Sequence, residues 1–227
     1  MSTKTLKIAG GFLILGGLLI FGWLGYDFVI NNNSSADKQA NVAATAILPS
    51  LPDKVDTSIE QFAPEGSVFA RLYVPEWGDS WVRPIAEGTS QDTLLNNVGH
   101  YTNTQLPGQV GNFAIASHRT TYGANFLKLN ELNEGDKIYV QTGAGIYEYT
   151  FRNSIITKPS NGNVLLSTPQ GITGDISGVD KFLTMTTCDP IWGNSDRLIG
   201  FSVFTKFYEN SNPPAIISQM LKKAELK

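Results

Sequence analysis

One cysteine and two histidines are all that this chain of 227 residues offers to thiol or imidazole chemistry. A lone cysteine cannot close an internal disulfide, and no Cys/His cluster has the spacing of a metal site. Charge is scarce as well. Charged residues make up 16% of the sequence and the net charge is -3. There is no basic run and no interleaving of aromatics with Lys and Arg, which argues against a nucleic-acid partner. No carboxylate cluster compels a calcium site, and nothing calls for a cofactor. Internal repeats are absent too. A thiol mechanism would have to be assembled from Cys188 and from His100 or His118.

What is present first is apolar length. Residues 8–26 carry no charged side chain, and about 20 apolar residues cross a bilayer core. Lys4 and Lys7 precede the run; Asp27 and an Asn/Ser-rich stretch follow it. Positive charge on the short leading side predicts a cytoplasmic N-terminus over 1–7, a signal-anchor helix over 8–30 and export of the rest. Trp23 and Tyr26 fall where amphipathic rings favour the headgroup level. The run exceeds a signal-peptide core, and the nearest small-x-small site, Ala44-Thr45-Ala46, lies far downstream. An uncleaved single-pass anchor is therefore expected rather than a removed leader. Residues 31–56, with Asn, Ser, Ala, Asp and Pro, read as an extracytoplasmic linker too poor in apolar residues to pack a core.

From residue 57 the chain changes character. Short β-branched and aromatic runs alternate with Gly/Pro/Asn/Asp clusters, predicting strands near 67–74, 80–87, 111–118, 136–141, 147–157, 181–187 and 198–208. Helical turns are expected at 91–96, 123–130 and 164–167. Many short, closely spaced strands imply an all-β barrel or sandwich over 57–210. The tail, 211–227, has the pattern of a short amphipathic helix.

Alternation places the reactive groups. In the segment ending at His118, Phe113 and Ile115 share one face while Ala114, Ala116 and His118 share the other, where two alanines leave room for a groove. Taken alone, His118 equally fits a strand-ending histidine bonded to backbone. In the segment ending at Cys188, Leu183 and Met185 face one way and Thr184, Thr186 and Cys188 the other. A free cysteine is usually a small buried hydrophobe; one ending a strand among threonines fits that description less well. The loop 189–196 predicts an antiparallel hairpin that carries Arg197 back toward Cys188. A guanidinium there could stabilise a thiolate or an oxyanion; an ordinary surface Arg–Asp pair is the plainer reading. Strict alternation also groups Arg197 with Ile199 and Phe201, which look like core; a bulge near Leu198 would turn it, but the sequence shows none.

These residues together resemble the sortases, most closely those called class E. The family motif TLxTC has its counterpart in Thr184-Met185-Thr186-Thr187-Cys188. Arg197-Leu198-Ile199 is similar to the segment bearing the family's arginine. Ala116-Ser117-His118-Arg119-Thr120-Thr121-Tyr122-Gly123 resembles the AGHRTTYG stretch of class E, with Ser117 where Gly is common. Gly99-His100-Tyr101 and Leu106-Pro107-Gly108 resemble the segment before it. The likeness covers roughly residues 66–207.

The resemblance implies a closed eight-stranded β-barrel and a cysteine transpeptidase. The implied substrates are surface proteins with an LPxTG- or LAxTG-like sorting signal, cut between Thr and Gly through a thioacyl enzyme. The implied acceptor is an amine of a cell-wall precursor or a pilin. It assigns Cys188 as nucleophile, His118 as general acid and base, and Arg197 as the group holding the oxyanion. His100 stands where the family has no essential histidine. Thr186 and Thr187 are candidates for contact with the signal. Tyr122 has two readings of equal weight, a wall of the signal groove or a loop anchor.

Rival Cys/His enzymes fit less well. An L,D-transpeptidase would show a histidine shortly before its cysteine, and a peptidase whose cysteine opens a helix would place it before its histidine. A membrane-tethered β domain that only binds wall or surface proteins is the alternative from another functional class.

Overall fold

The computed structural model describes residues 3–52 and 62–225. The expected domain start at 57 and the end of the expected linker lie outside the described residues, as do residues 1–2 and 226–227. One long helix, α1 (Thr3–Thr45), precedes eight strands: β1 (Val68–Tyr73), β2 (Val82–Glu87), β3 (Val98–His100), β4 (Gly111–Ala116), β5 (Lys137–Gln141), β6 (Ile146–Thr157), β7 (Lys181–Asp189) and β8 (Asp196–Tyr208). A short helix α2 (Gln91–Asn96) sits between β2 and β3, and α3 (Ala215–Glu225) follows β8.

The strands close into a barrel in the order β1-β2-β3-β4-β7-β8-β6-β5. Alternation fills its interior: Leu72, Ile85, Phe113, Ile115, Ile138, Val140, Tyr149, Phe151, Leu183 and Met185 are all buried there. Each such side chain contributes about 1.5–3 kcal/mol on leaving water, so the barrel is a rigid frame for whatever its rims carry. The eighth strand, β3, was not expected. With three residues it is too short to show a period.

Two neighbours, β2–β3 and β4–β7, pair parallel. In β4–β7, Ala114 lies opposite Thr184 and Ala116 opposite Thr186. The β7–β8 hairpin is antiparallel and regular, with Thr186 opposite Ile199 and Cys188 opposite Arg197. No bulge interrupts it, so none near Leu198 turns Arg197. Arg197, Ile199 and Phe201 do share the face of Cys188, because that face is the outside of the barrel. Ile199 and Phe201 form a second, separate cluster there with Val164, joined by Ile155, Leu165 and Ile172. The β6–β7 connection thus covers the outer face with its own small core. Asn112 Nδ2 donates to Val164 O at 3.2 Å, and Thr184 Oγ1 donates to Asn112 Oδ1 at 2.9 Å. The room expected above Ala114 is filled by this layer.

Residues 31–45 are not an unpacked linker. They continue α1 without a break, and Gln39, Ala40, Ala43 and Ala44 are buried. Ala40 and Ala43 pack with Tyr73, Val82, Ile217, Met220 and Ala224, so α1 docks on the barrel beside α3. The stretch lacks large apolar residues because small ones let two backbones approach closely. Arg71 of β1 ends the helix. Its Nε donates to Ala43 O, and its Nη2 donates to Ala44 O at 3.2 Å and Ala46 O at 2.6 Å. Terminal carbonyls lack intrahelical partners, and a cation there also meets the negative end of the helix dipole. Hydrogen bonds to charged groups contribute about 1.5–3 kcal/mol. Arg71→Met should therefore speed amide hydrogen exchange over residues 40–46 by about tenfold or more while the barrel stays protected. Unchanged exchange there would show that Arg71 does not hold the helix end.

Candidate active site

The site is built where β4 and β7 run out together. Ser117 N donates to Thr186 O at 3.2 Å and Thr187 Oγ1 donates to Ser117 O at 2.8 Å. The next residue on each chain is His118 or Cys188. Both are half-buried, and both line one cleft of about 380 Å³ with Arg119, Thr120, Thr121, Trp192, Gly193 and Asn194. The cleft lies at the barrel rim, on the outer face. The sole thiol and one of the two imidazoles of the chain are thereby brought to a common space.

His118 Nε2 is buried and has no hydrogen-bond partner among the described residues. Burial pushes the His118 pKa below the ordinary histidine value, because the charged form loses its hydration. The ring of Tyr122 lies 5.0 Å from that of His118, centroid to centroid, at 49°. Tyr122 is 44% exposed and has a left-handed φ of 51°. It stands beside the imidazole, but it lines the neighbouring groove along α1, with Phe28 and Asn32, and not the cleft of Cys188.

Arg197 lies directly across the hairpin from Cys188. Its Nη1 donates to Asn194 O at 2.9 Å and Asp196 O at 2.8 Å, so the guanidinium rests on the β7–β8 loop. The other two expected contacts are placed differently. Thr186 and Thr187 are buried, with Thr186 Oγ1 2.9 Å from Tyr101 Oη and Thr187 bonded to Ser117. Both hydroxyls are occupied inside the protein, so these residues act as struts between strands rather than open contacts. Parity placed Thr186 on the face of Cys188 but could not reveal that this face is covered one step away from the cysteine.

His100 belongs elsewhere. It is fully buried, with Nδ1 2.7 Å from Glu87 Oε2 and Nε2 3.1 Å from Thr104 Oγ1. Its ring packs against Phe69 and Phe113. It holds the barrel interior and takes no part in the cleft.

The residue that sequence reading missed is Arg119, only 7% exposed. Its Nη1 bonds the Asp189 carboxylate and also donates to Cys188 O at 3.3 Å, while Nη2 donates to Asn130 Oδ1 at 3.2 Å. A buried cation beside His118 thus grips the residue after Cys188 and fixes the spacing of the two. A signal was available: His118 and Cys188 are each followed at once by a charge, Arg119 and Asp189, of opposite sign. The β7–β8 loop forms the remaining wall. Trp192, 71% exposed at a φ of 70°, meets Phe28 of α1 edge-on with centroids 5.0 Å apart. Among the described residues, no group of three or more His, Cys, Asp or Glu could hold a metal ion.

Comparison with known proteins gives this arrangement a lineage. Residues 72–204 match the sortase domain. Sortase SrtE1 of Streptomyces coelicolor is 32% identical across 93% of this chain, which spans 61% of that relative's length. The crystal structure of sortase E1 from Streptomyces coelicolor with a tripeptide in its active site superposes with a TM-score of 0.62 at 33% identity, covering 67% of this chain and 97% of that one. SrtA sortase from Actinomyces oris gives the same TM-score at 34% identity over 72% of this chain and 95% of the other. With the domain match spanning β1 to β8 and holding both cleft residues, the chain belongs to the sortase family of cysteine transpeptidases.

Proposed function

We propose that this protein is a membrane-anchored sortase. It cleaves an LPxTG- or LAxTG-like sorting signal between Thr and Gly, and passes the severed protein to an amine of a cell-wall precursor or a pilin. The observation that carries the reading is the shared cleft of Cys188 and His118 at the rim of a rigid barrel. As Sγ attacks the Thr carbonyl carbon, the thiol proton moves to His118 and the C=O electron pair moves to oxygen. Collapse of this intermediate expels the Gly nitrogen, which takes the proton from His118, and leaves a thioester on Cys188. The acceptor amine then attacks the thioester and gives its proton to His118. The departing sulfur takes that proton back. Arg197 stabilises the oxyanion in both steps by swinging off a loop carbonyl toward the carbon under attack.

Anchoring rests on the exposed face of α1. Leu13, Ile14, Leu18, Leu19, Phe21 and Trp23 are all exposed. A helix that is apolar all round and unburied needs lipid. The segment from Leu13 onward is long and apolar enough to cross a membrane. Trp23 and Tyr26 then mark the outer interface, and the catalytic domain stands just beyond it.

The reading is tested with the full chain in detergent micelles, an LPxTG or LAxTG peptide and a short glycine peptide as acceptor. Wild type should yield a product in which Thr is joined to the acceptor, and Cys188→Ala should yield none. His118→Ala should lower kcat by about 10²–10⁴-fold, and Arg197→Ala by about 10²–10³-fold. Product from Cys188→Ala would overturn the reading. Retention of both peptides without cleavage by wild type would support a tethered binding module instead.

The pH profile follows from His118. The imidazole must be neutral in the free enzyme to take the thiol proton, and its pKa lies below the ordinary value of 6.5. Activity is then lost only as pH falls through that lowered pKa, so the acid limb of kcat/KM should have its midpoint below 6.5. A midpoint above about 7 would contradict a neutral resting imidazole.

A further inference from the structure

The loop that carries His118 is held from outside the barrel by α1. Asn32 Nδ2 donates to Thr120 O at 2.8 Å, and Gly123 N donates to Asn32 Oδ1 at 3.3 Å. Two turns further along the same helix face, Gln39 Nε2 donates to Tyr122 O at 2.8 Å. Gln39 Oε1 accepts from Asn125 Nδ2 at 2.7 Å, and the same Nδ2 donates to Ser117 Oγ at 3.0 Å. Arg83 Nε donates to Asn125 Oδ1 at 2.6 Å and completes the chain. Gln39, Asn125, Ser117 and Arg83 are all buried, where an unmade bond costs about 1–3 kcal/mol.

The chemistry of this clamp is specific. Asn32 and Gln39 each donate to a backbone carbonyl and accept from an N–H, a pair of tasks that a carboxylate, which only accepts, cannot perform. Close approach is also built in. Gly123 has a φ of +91°, and a Cβ there would stand 3.2 Å from Gln39 Nε2 and 3.4 Å from Ala36 Cα. Ser117, the departure from the family's usual Gly, supplies the hydroxyl that receives Asn125. The bonds fall on residues 117, 120, 122 and 123, on both sides of His118, while none falls on His118 itself.

We infer that Asn32 and Gln39, on the helix that forms the anchor, are positioning residues for the catalytic histidine. The inference rests on the transpeptidase reading above. By it, α1 does more than tether the domain: its membrane-proximal turns set where the imidazole stands relative to Cys188. A misplacement of about 1 Å can lower a rate on the order of 10²-fold.

The test uses the full chain in micelles, measuring kcat and KM for transfer from the signal peptide together with the thermal midpoint. Asn32→Leu and Gln39→Leu keep helix and bulk but remove both bonds. Each should lower kcat by about 10–100-fold per folded molecule and leave KM within about threefold of wild type. Gln39→Glu keeps the acceptor for Asn125 and loses the donor to Tyr122 O, so its kcat should lie between those of wild type and Gln39→Leu. Asn41→Ala, on an exposed part of the same helix, should behave as wild type. A purely structural role would lower the thermal midpoint while kcat per folded molecule stays unchanged, and kcat within about twofold of wild type in both folded Leu variants overturns the inference. Should the Leu variants not fold, Asn32→Asp and Gln39→Glu carry the same decision, since each keeps size and loses a donor. Failure of the function itself reads differently: wild type would then form no product.

Discussion

His118 and Cys188 meet because β4 and β7 run parallel, side by side and in register. Parallel strands finish at the same rim of the barrel, so the residues that follow them emerge together. Had the pair been antiparallel, the two chain ends would lie at opposite rims, roughly 20 Å apart for strands of this length. Parallel pairing needs a long crossover, and here the chain between β4 and β7 carries β5 and β6. Two ties hold the junction once formed, Thr187 Oγ1 on Ser117 O and Arg119 on Asp189. The proposed chemistry depends on that alignment.

The site is placed on the outside of the barrel, not within it. The interior is filled by Phe113, Ile115, Leu183 and Met185, whose role is stiffness. Outside, the β6–β7 connection buries Ile199 and Phe201 against Val164 and so fixes the near end of β8. With no bulge in the hairpin, Arg197 is carried to its place opposite Cys188 by register alone. The cleft is then walled by the segment after β4, the end of β7 and the β7–β8 loop, with α1 behind, touching Trp192 through Phe28.

Much of this could be read from residue order. Alternation in 111–116 and 181–188 separated the core face from the face of the reactive residues, and the hairpin brought Arg197 near. What alternation cannot report is the identity of the neighbouring strand, so the parallel β4–β7 pairing was invisible. Ile199 and Phe201 were misplaced for a related reason: an apolar face need not be the barrel's interior when a loop brings its own apolar cover. The segment 31–45 was misread because its helix buries alanine and carboxamides, whose composition is that of a linker. Its spacing at Asn32, Ala36, Gln39, Ala40 and Ala43 was the available sign. Thr186 and Thr187 lay on legible faces, but whether a hydroxyl is open or spent depends on Tyr101 and Ser117, which are distant in sequence or on another strand.

The central claim is that Cys188 becomes acylated by the segment ending in Thr. The most direct measurement is intact-protein mass spectrometry of the full chain, acid-quenched within a turnover of mixing with an LAxTG or LPxTG peptide, followed by peptide mapping. A mass increase equal to the fragment through Thr, located on the peptide holding Cys188 and removed by hydroxylamine, is the result predicted by the account. Cleavage of the peptide with no adduct on Cys188, or an adduct on another residue, would contradict it.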